Sequence, residues 1–125
     1  MSTFDWWEFL ELADNIKDIG DEASLRSSIS RAYYASHGAS KNYLRDKCYH
    51  GILRAHRPEN HSYVIEKLRD DPDKLKNDIG NKLQRLRIKR NQADYDDVVK
   101  RIHDVSMFSL SDAKKIRANL FELLK

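Results

Sequence analysis

Apolar residues that recur at steps of three and four constrain the fold of this chain more than any other feature. They are Leu75, Ile79, Leu83 and Leu86. This spacing stacks side chains on one face of a helix. The next step of the pattern reaches Arg90, so a guanidinium stands where a buried aliphatic side chain is expected. A buried charge is costly unless it is paired or used, and Arg90 therefore marks an ion pair or a site.

Two interpretations of Arg90 follow from its neighbours. Asp94 lies four residues further on, within reach on the same helix face, and arginine is well suited to buried pairing. Alternatively, Arg90 is directed at a phosphate from inside a groove, with Asn91 and Tyr95 beside it as hydrogen-bonding groups. The sequence leaves both interpretations open.

Basic side chains accumulate around Arg90. Lys82, Arg85 and Lys89 share one face and predict an exposed basic stripe, with Arg87 beside it. The net charge is only +3, but residues 74–90 hold seven bases against one acid, whereas residues 1–22 hold seven acids against one base. This asymmetry favours binding of a polyanion such as RNA. It equally fits two helices that neutralise each other, or a solvated surface.

The composition predicts an all-α chain. Only four glycines and two prolines interrupt its 125 residues, and β-branched runs are scarce. A chain of this length buries about two-thirds of its unfolded surface in one domain, so we expect a single domain over residues 1–125.

The helix signals are spread along the whole chain. Ser2 or Thr3 can cap a first helix that ends at Gly20, and its apolar stripe includes Trp6 but leaves Trp7 at the edge. The second helix is expected from about Glu22 to about Lys47, with small side chains that allow close packing.

The later helices begin at polar caps. Asn60 or Ser62 can cap a short third helix, and the segment 71–73 breaks the chain before the fourth. A short helical turn is expected over residues 96–105, and Ser109 or Ser111 is expected to begin the last helix. These signals predict a compact bundle of four main helices plus one or two short ones.

Two further segments carry basic or metal-ligating side chains. Arg31 and Tyr34 lie on the flank of the second helix, where cationic and aromatic groups alternate. The segment 49–60 is predicted to be a loop, either a solvated connector or a basic, histidine-bearing loop near a phosphate groove. Its histidines and Cys48 match no zinc spacing, so we predict no metal and no cofactor.

We expect a cytoplasmic protein without a membrane segment. Cys48 is the only cysteine, so no disulfide forms within the chain. The N-terminus is acidic and aromatic, and no apolar run approaches the length of a membrane span.

Two segments together resemble the HEPN superfamily of small helical domains. They are SRAYYA in the second helix and RNQADY in the fourth. The resemblance covers most of the chain and implies an antiparallel up-and-down bundle that forms a symmetric homodimer. The fourth helix of each subunit would line a cleft at the interface, where RNA or a nucleotide binds.

Many HEPN members resemble metal-independent ribonucleases with an arginine followed, after four to six residues, by a histidine. Arg90 matches that arginine, and Asn91 matches the polar residue that often follows it. No histidine matches, and Tyr95 stands near its place, where it would orient the substrate or donate a proton. Another residue must then act as the base, and His37, His56 and His61 are candidates by residue type.

The resemblance implies two functional hypotheses. One is an endoribonuclease of a toxin-antitoxin or defence system, held in check by a nucleotidyltransferase-like antitoxin. In it, the RNA-binding residues are Arg31, Lys82, Arg85, Arg87 and Lys89. The other is a non-catalytic scaffold dimer that binds a nucleotide, RNA or protein, in which Arg90 and Asp94 form a structural pair.

Overall fold

The computed structural model describes residues 3–48 and 58–125, and these residues form helices without any strand. The α-helices are α1 (Glu8–Ile16), α2 (Glu22–Lys47), α3 (Asn60–Arg69), α4 (Lys74–Tyr95) and α5 (Ile102–Leu123). One 3-10 turn, Lys17–Ile19, follows α1. The predicted all-α class is therefore confirmed. Most of the predicted loop, including His50 and His56, lies outside the described residues.

The helices form a bundle in which α2 occupies the centre. It packs against α1, α4 and α5, while α3 packs mainly on α4. The apolar faces of these helices meet in one core. Its largest fully buried aliphatic and aromatic side chains are Ile29, Tyr33, Val64, Leu68, Ile79, Leu83, Leu86 and Ile116.

The predicted starts of α2 and α4 are confirmed by their caps. Asp21 accepts a hydrogen bond from the Ser24 amide at 2.7 Å, which satisfies one of the unpaired donors of the first turn of α2. Asp73 does the same for α4 and accepts from the amides of Leu75 and Lys76. Gly20 ends the preceding turn with a φ of 85°, which glycine adopts without strain.

The predicted start of the last helix is wrong. Residues 102–123 form one continuous helix, so the expected short turn and the expected final helix are the same element. Ser109 is fully buried and Ser106 nearly so, because their small side chains face the packed side of α5. Serine at these positions therefore serves close packing instead of capping, and Arg101, with a φ of 55°, precedes the helix.

The apolar stripe of α1 is not centred where the sequence predicts it. Trp7 lies in the core and Trp6 is only half-buried. The helix begins at Glu8, after a turn in which Asp5 Oδ1 accepts a hydrogen bond from the Trp7 amide at 3.0 Å. Both tryptophans therefore precede the helix, and the helical period does not fix the directions of their side chains.

None of the helices in the described part of the chain combines the length and the apolarity that crossing a lipid bilayer requires.

Candidate functional site

Arg90 lies where α4 packs against α2. Its Nη2 donates a hydrogen bond to the Tyr34 hydroxyl, its Nη1 donates to Asn91 Oδ1 at 2.5 Å, and its Nε lies 3.3 Å from Asp94 Oδ2. Burial alone would lower the pKa of Arg90, but Tyr34 and Asp94 outweigh that effect and raise it. Arg90 therefore stays cationic, and 14% of its side chain is exposed.

Two aromatic rings of α2 lie beside the guanidinium, and they in turn contact an imidazole of α3. Arg90 Cζ lies 5.6 Å from the ring centroid of Tyr33 and 5.0 Å from that of Tyr34. The Tyr33 hydroxyl shares a 2.5 Å hydrogen bond with Nδ1 of His61, on α3. The rings of His61 and His37 are nearly parallel, with centroids 4.1 Å apart.

A second guanidinium borders this group. Arg87 lies one turn before Arg90 on α4, and its Nη1 donates to the Ser62 hydroxyl at 3.0 Å. Ser62 directly follows His61 on α3, and both arginines lie close enough to act on the pKa values of Tyr33 and His37. We call this group the Arg–His cluster, and its members are Tyr33, Tyr34, His37, His61, Arg87 and Arg90.

Burial dominates the electrostatics of the cluster. Burial, followed by the charges of His61, Lys41, Arg87 and Arg90, lowers the pKa of His37 to about 3, so this imidazole is neutral at pH 7. Burial raises the pKa of Tyr33, although Arg87 and Arg90 oppose that effect. Nδ1 of His37 has no hydrogen-bond partner among the described residues.

The structure joins only part of the predicted catalytic set. Asn91 contacts Arg90 through its side chain, and Asp94 forms the predicted pair. Tyr95 is 75% exposed on the last turn of α4. Five residues after Arg90, it points to a different side of the helix.

The predicted exposed basic stripe is largely an internal contact. Lys82 is bound to Asp78 at 2.6 Å, and Asp112 of α5 lies 3.1 Å from Arg85 and 3.8 Å from Lys89. The side chains of Lys82 and Lys89 are mostly covered, so the prediction of an exposed stripe is wrong for them. The neutralising acids lie on α4 and α5 instead of in the acidic N-terminal segment, and an RNA-binding role of this stripe stays a prediction.

Sequence reasoning named His37 and His61 by residue type and could not place them. The sequence gives no functional signal at Tyr33, although it lies four residues before His37 and this spacing sets both on one face of α2. The contact of this face with His61 depends on how α3 packs on the bundle. No pattern of neighbouring residues in the sequence predicts this contact.

The chemistry of the cluster suits recognition of a phosphate. Guanidinium groups donate paired hydrogen bonds to phosphate oxygens, and a neutral imidazole nitrogen can accept a proton. Within the described ranges, no group of three or more His, Cys, Asp and Glu side chains could hold a metal ion.

Comparison of the chain with protein-family models, with curated proteins and with solved structures found no match.

Proposed function

We propose that this protein is an HEPN-like, RNA-directed module whose Arg–His cluster binds a backbone phosphate and cleaves the RNA without a metal ion. One observation carries the proposal. His61 of α3 lies against the same two tyrosine rings that Arg90 of α4 contacts. This arrangement supplies an imidazole beside the arginine, although the fourth helix has no motif histidine.

The proposed reaction is an attack by a ribose 2′-hydroxyl on the adjacent phosphorus. The His61 imidazole accepts the hydroxyl proton as the new P–O2′ bond forms, and it returns the proton to the 5′-oxygen as the P–O5′ bond breaks. The products are a 2′,3′-cyclic phosphate and a free 5′-hydroxyl. Arg90 and Arg87 stabilise the charge that develops on the phosphate oxygens.

The test is cleavage of a single-stranded RNA in the presence of EDTA. We expect wild-type protein to give cyclic-phosphate ends, and His61→Gln and Arg90→Ala each to lower the rate about a hundredfold or more. His103→Gln, at an exposed histidine on α5, is the matched control and should keep the wild-type rate. Equal activity of the wild type and Arg90→Ala, or a rate that depends on added metal, would contradict the proposal.

The proposal includes a homodimer through α4, with a nucleotidyltransferase-like antitoxin as its further partner. The dimer is supported by the resemblance of the α2 and α4 segments to the HEPN superfamily. Ile88, an apolar side chain on α4, is 50% exposed and could be buried in such an interface.

A second candidate function is a non-catalytic scaffold that binds RNA, a nucleotide or a protein. The contacts of Arg90 within the chain favour the scaffold, since Tyr34, Asn91 and Asp94 already bind the guanidinium. In that case RNA binds without being cut. The cleavage assay therefore separates the two candidates.

A further inference from the structure

Three aromatic rings gather at the surface where the start of α1 meets α2. Phe4 and Trp6 meet edge to face with centroids 5.2 Å apart, and Phe9 lies 5.1 Å from Phe4 and 5.7 Å from Trp6. Phe4 is 46% exposed, and the other two rings are half-buried. We call these three residues the aromatic patch.

Two cations of α2 lie over the aromatic patch. Arg31 Cζ is 5.0 Å from the Phe9 centroid, and Lys41 Nζ is 5.4 Å from the Trp6 centroid. Arg26 and Arg45 of the same helix form salt bridges with carboxylates. Within the described ranges, Arg31 and Lys41 have aromatic rings as partners and no salt bridge.

The positive charge of these two cations is therefore not taken up by an ion pair within the described ranges. Burial, followed by the charge of Arg45, lowers the pKa of Lys41. A lowered lysine pKa means that the charged form is disfavoured where it stands, and a bound anion would relieve that cost. This electrostatic observation agrees with the geometry of the cations over the rings.

The indole of Trp6 packs directly against α2. A Cβ atom added at Gly38 would lie 2.1 Å from Trp6 Cδ2, so the ring rests directly on the helix backbone. The absence of a side chain at Gly38 makes this contact feasible. A ring already fixed in place loses little conformational entropy when a ligand stacks on it or on its neighbours.

One face of α2 connects the aromatic patch to the Arg–His cluster. Arg31, Tyr34, Gly38 and Lys41 are separated by steps of three and four residues, which set them on one side of the helix. Arg31 and Lys41 are about 15 Å apart along the axis at 1.5 Å per residue. Tyr34, between them, binds Arg90 of the cluster.

We propose that the aromatic patch, with Arg31 and Lys41, is a stacking platform for unpaired bases of single-stranded RNA. The inference rests on the proposed function, in which a phosphate of the same strand occupies the Arg–His cluster. Aromatic rings bind bases of any sequence by stacking, and adjacent cations bind the phosphates between them. Paired bases in a duplex are not available to such rings, so the substrate class is single-stranded.

The experiment measures binding by fluorescence anisotropy to three labelled probes. They are a 2′-O-methyl single strand of about twelve nucleotides, within the usual range of single-strand site sizes, an abasic sugar-phosphate strand of the same length, and a blunt duplex. The 2′-O-methyl groups block the proposed cleavage. We expect the single strand to bind most tightly.

The decisive variants are Phe4→Ala and Phe4→Leu, which remove the exposed ring. Each should weaken binding of the base-bearing single strand at least about fivefold, the lower end of what one base–aromatic stack contributes. Neither should change binding of the abasic strand. Leu12→Ala, at an exposed apolar residue on α1, is the matched control and should leave the binding of both strands unchanged.

The outcomes separate the platform from the proposed function. If both Phe4 variants keep wild-type affinity for the single strand while Arg90→Ala weakens it, the platform is refuted and the phosphate site stands. If the duplex binds as tightly as the single strand, the platform is refuted as well. If no probe binds to wild-type protein, both proposals fail.

Discussion

At the scale of single residues, Arg90 is held by contacts on several sides while part of its side chain stays exposed. Tyr34, Asn91 and Asp94 fix the guanidinium, and 14% of the side chain remains open to solvent. These contacts orient the charge before any ligand arrives. The structural and functional interpretations of Arg90 therefore describe the same arrangement. They differ only in whether solvent or a bound phosphate contacts the exposed part of the side chain.

We expect Arg90→Ala to lower the free energy of unfolding by about 1–3 kcal/mol. The change leaves the Asp94 carboxylate and the Tyr34 hydroxyl without their cation, and partial exposure keeps the cost below that of a fully buried pair. Arg90→Lys retains the charge but not the forked hydrogen-bond donors, so its free energy of unfolding should fall between those of the wild type and Arg90→Ala. Urea unfolding followed by circular dichroism measures the difference. An unchanged midpoint in Arg90→Ala would refute the structural pair.

His37 predicts a specific dependence of stability on pH. Its pKa is about 3 in the folded protein and near 6.5 in the unfolded chain, so between these values the unfolded chain binds more protons. The stabilisation is therefore complete above pH 6.5 and is lost as the pH falls towards 3. Its slope reaches at most about 1.4 kcal/mol per pH unit.

Urea unfolding at steps from pH 7 to pH 4 checks this dependence. His37→Gln should flatten the profile because glutamine does not titrate in this range. His103→Gln, at an exposed histidine, is the matched control and should retain the wild-type profile. A wild-type slope in the His37→Gln protein would show that burial of His37 does not control the acid response.

At the scale of helices, Arg26 of α2 fastens the end of α4. Its Nη1 donates to the carbonyl oxygens of Ala93 and Asp96 at 3.0 and 2.6 Å, and its Nη2 donates to that of Asp97 at 3.1 Å. The last carbonyls of a helix have no partner within the helix, so this guanidinium acts as a cap supplied by another element. It also fixes the segment that carries Asp94.

We expect Arg26→Ala to cost about 1–3 kcal/mol of unfolding free energy, since charge-assisted hydrogen bonds to the carbonyls are lost. Hydrogen exchange of the amides in the last turn of α4 should accelerate. Arg45→Ala is the matched control, because Arg45 bonds only the adjacent, exposed Asp46 among described residues and should cost about 0–1 kcal/mol. Equal effects of the two changes would argue against the cap.

The sequence was sufficient to predict a helix boundary where that boundary depends on residues close together in the chain. The starts of α2 at about Glu22 and of α4 after residues 71–73 were predictable because Asp21 and Asp73 bond amides two or three residues away. The start of α5 was missed because the same residue type, serine, either caps a helix or permits close packing. Burial decides between these roles, and burial depends on the whole bundle.

The candidate site was predictable only in part for the same reason. Arg90 and Asp94 were identified because a break in the apolar period is visible along one helix. The neighbourhood of Arg90 and His61 combines side chains far apart in sequence, and it forms only when α3 packs on α4. The pairing of Arg85 with Asp112 of α5 is of the same long-range kind.

At the scale of the whole molecule, the charge asymmetry of the sequence is redistributed by folding. Asp112 of α5 and Asp78 of α4 neutralise most of the predicted basic stripe. In the described part of the chain, the positive charges without a carboxylate partner include Arg87, beside Ser62, and the two cations over the aromatic patch. A strand that occupies both the Arg–His cluster and the aromatic patch would therefore run along α2 and past the contact between α3 and α4.

We expect the protein to sediment at twice its chain mass of 14.7 kDa at micromolar concentration. Ile88→Glu should shift it to the mass of one chain, because a charge would then have to be buried in the proposed α4 interface. Leu12→Glu, on α1, should leave the dimer intact. Sedimentation of the wild type as a single 14.7 kDa species would refute the dimer.

The central claim is that Arg90, Arg87 and His61 meet the same phosphate. The most direct measurement is an NMR titration of isotope-labelled protein with a 2′-O-methyl RNA strand, observing the imidazole signals of His61 and the side-chain signals of the two arginines. We predict saturable shifts of all three at one common affinity, much weakened in Arg90→Ala. Binding of the strand with these signals unchanged, or no binding at all, would contradict the account.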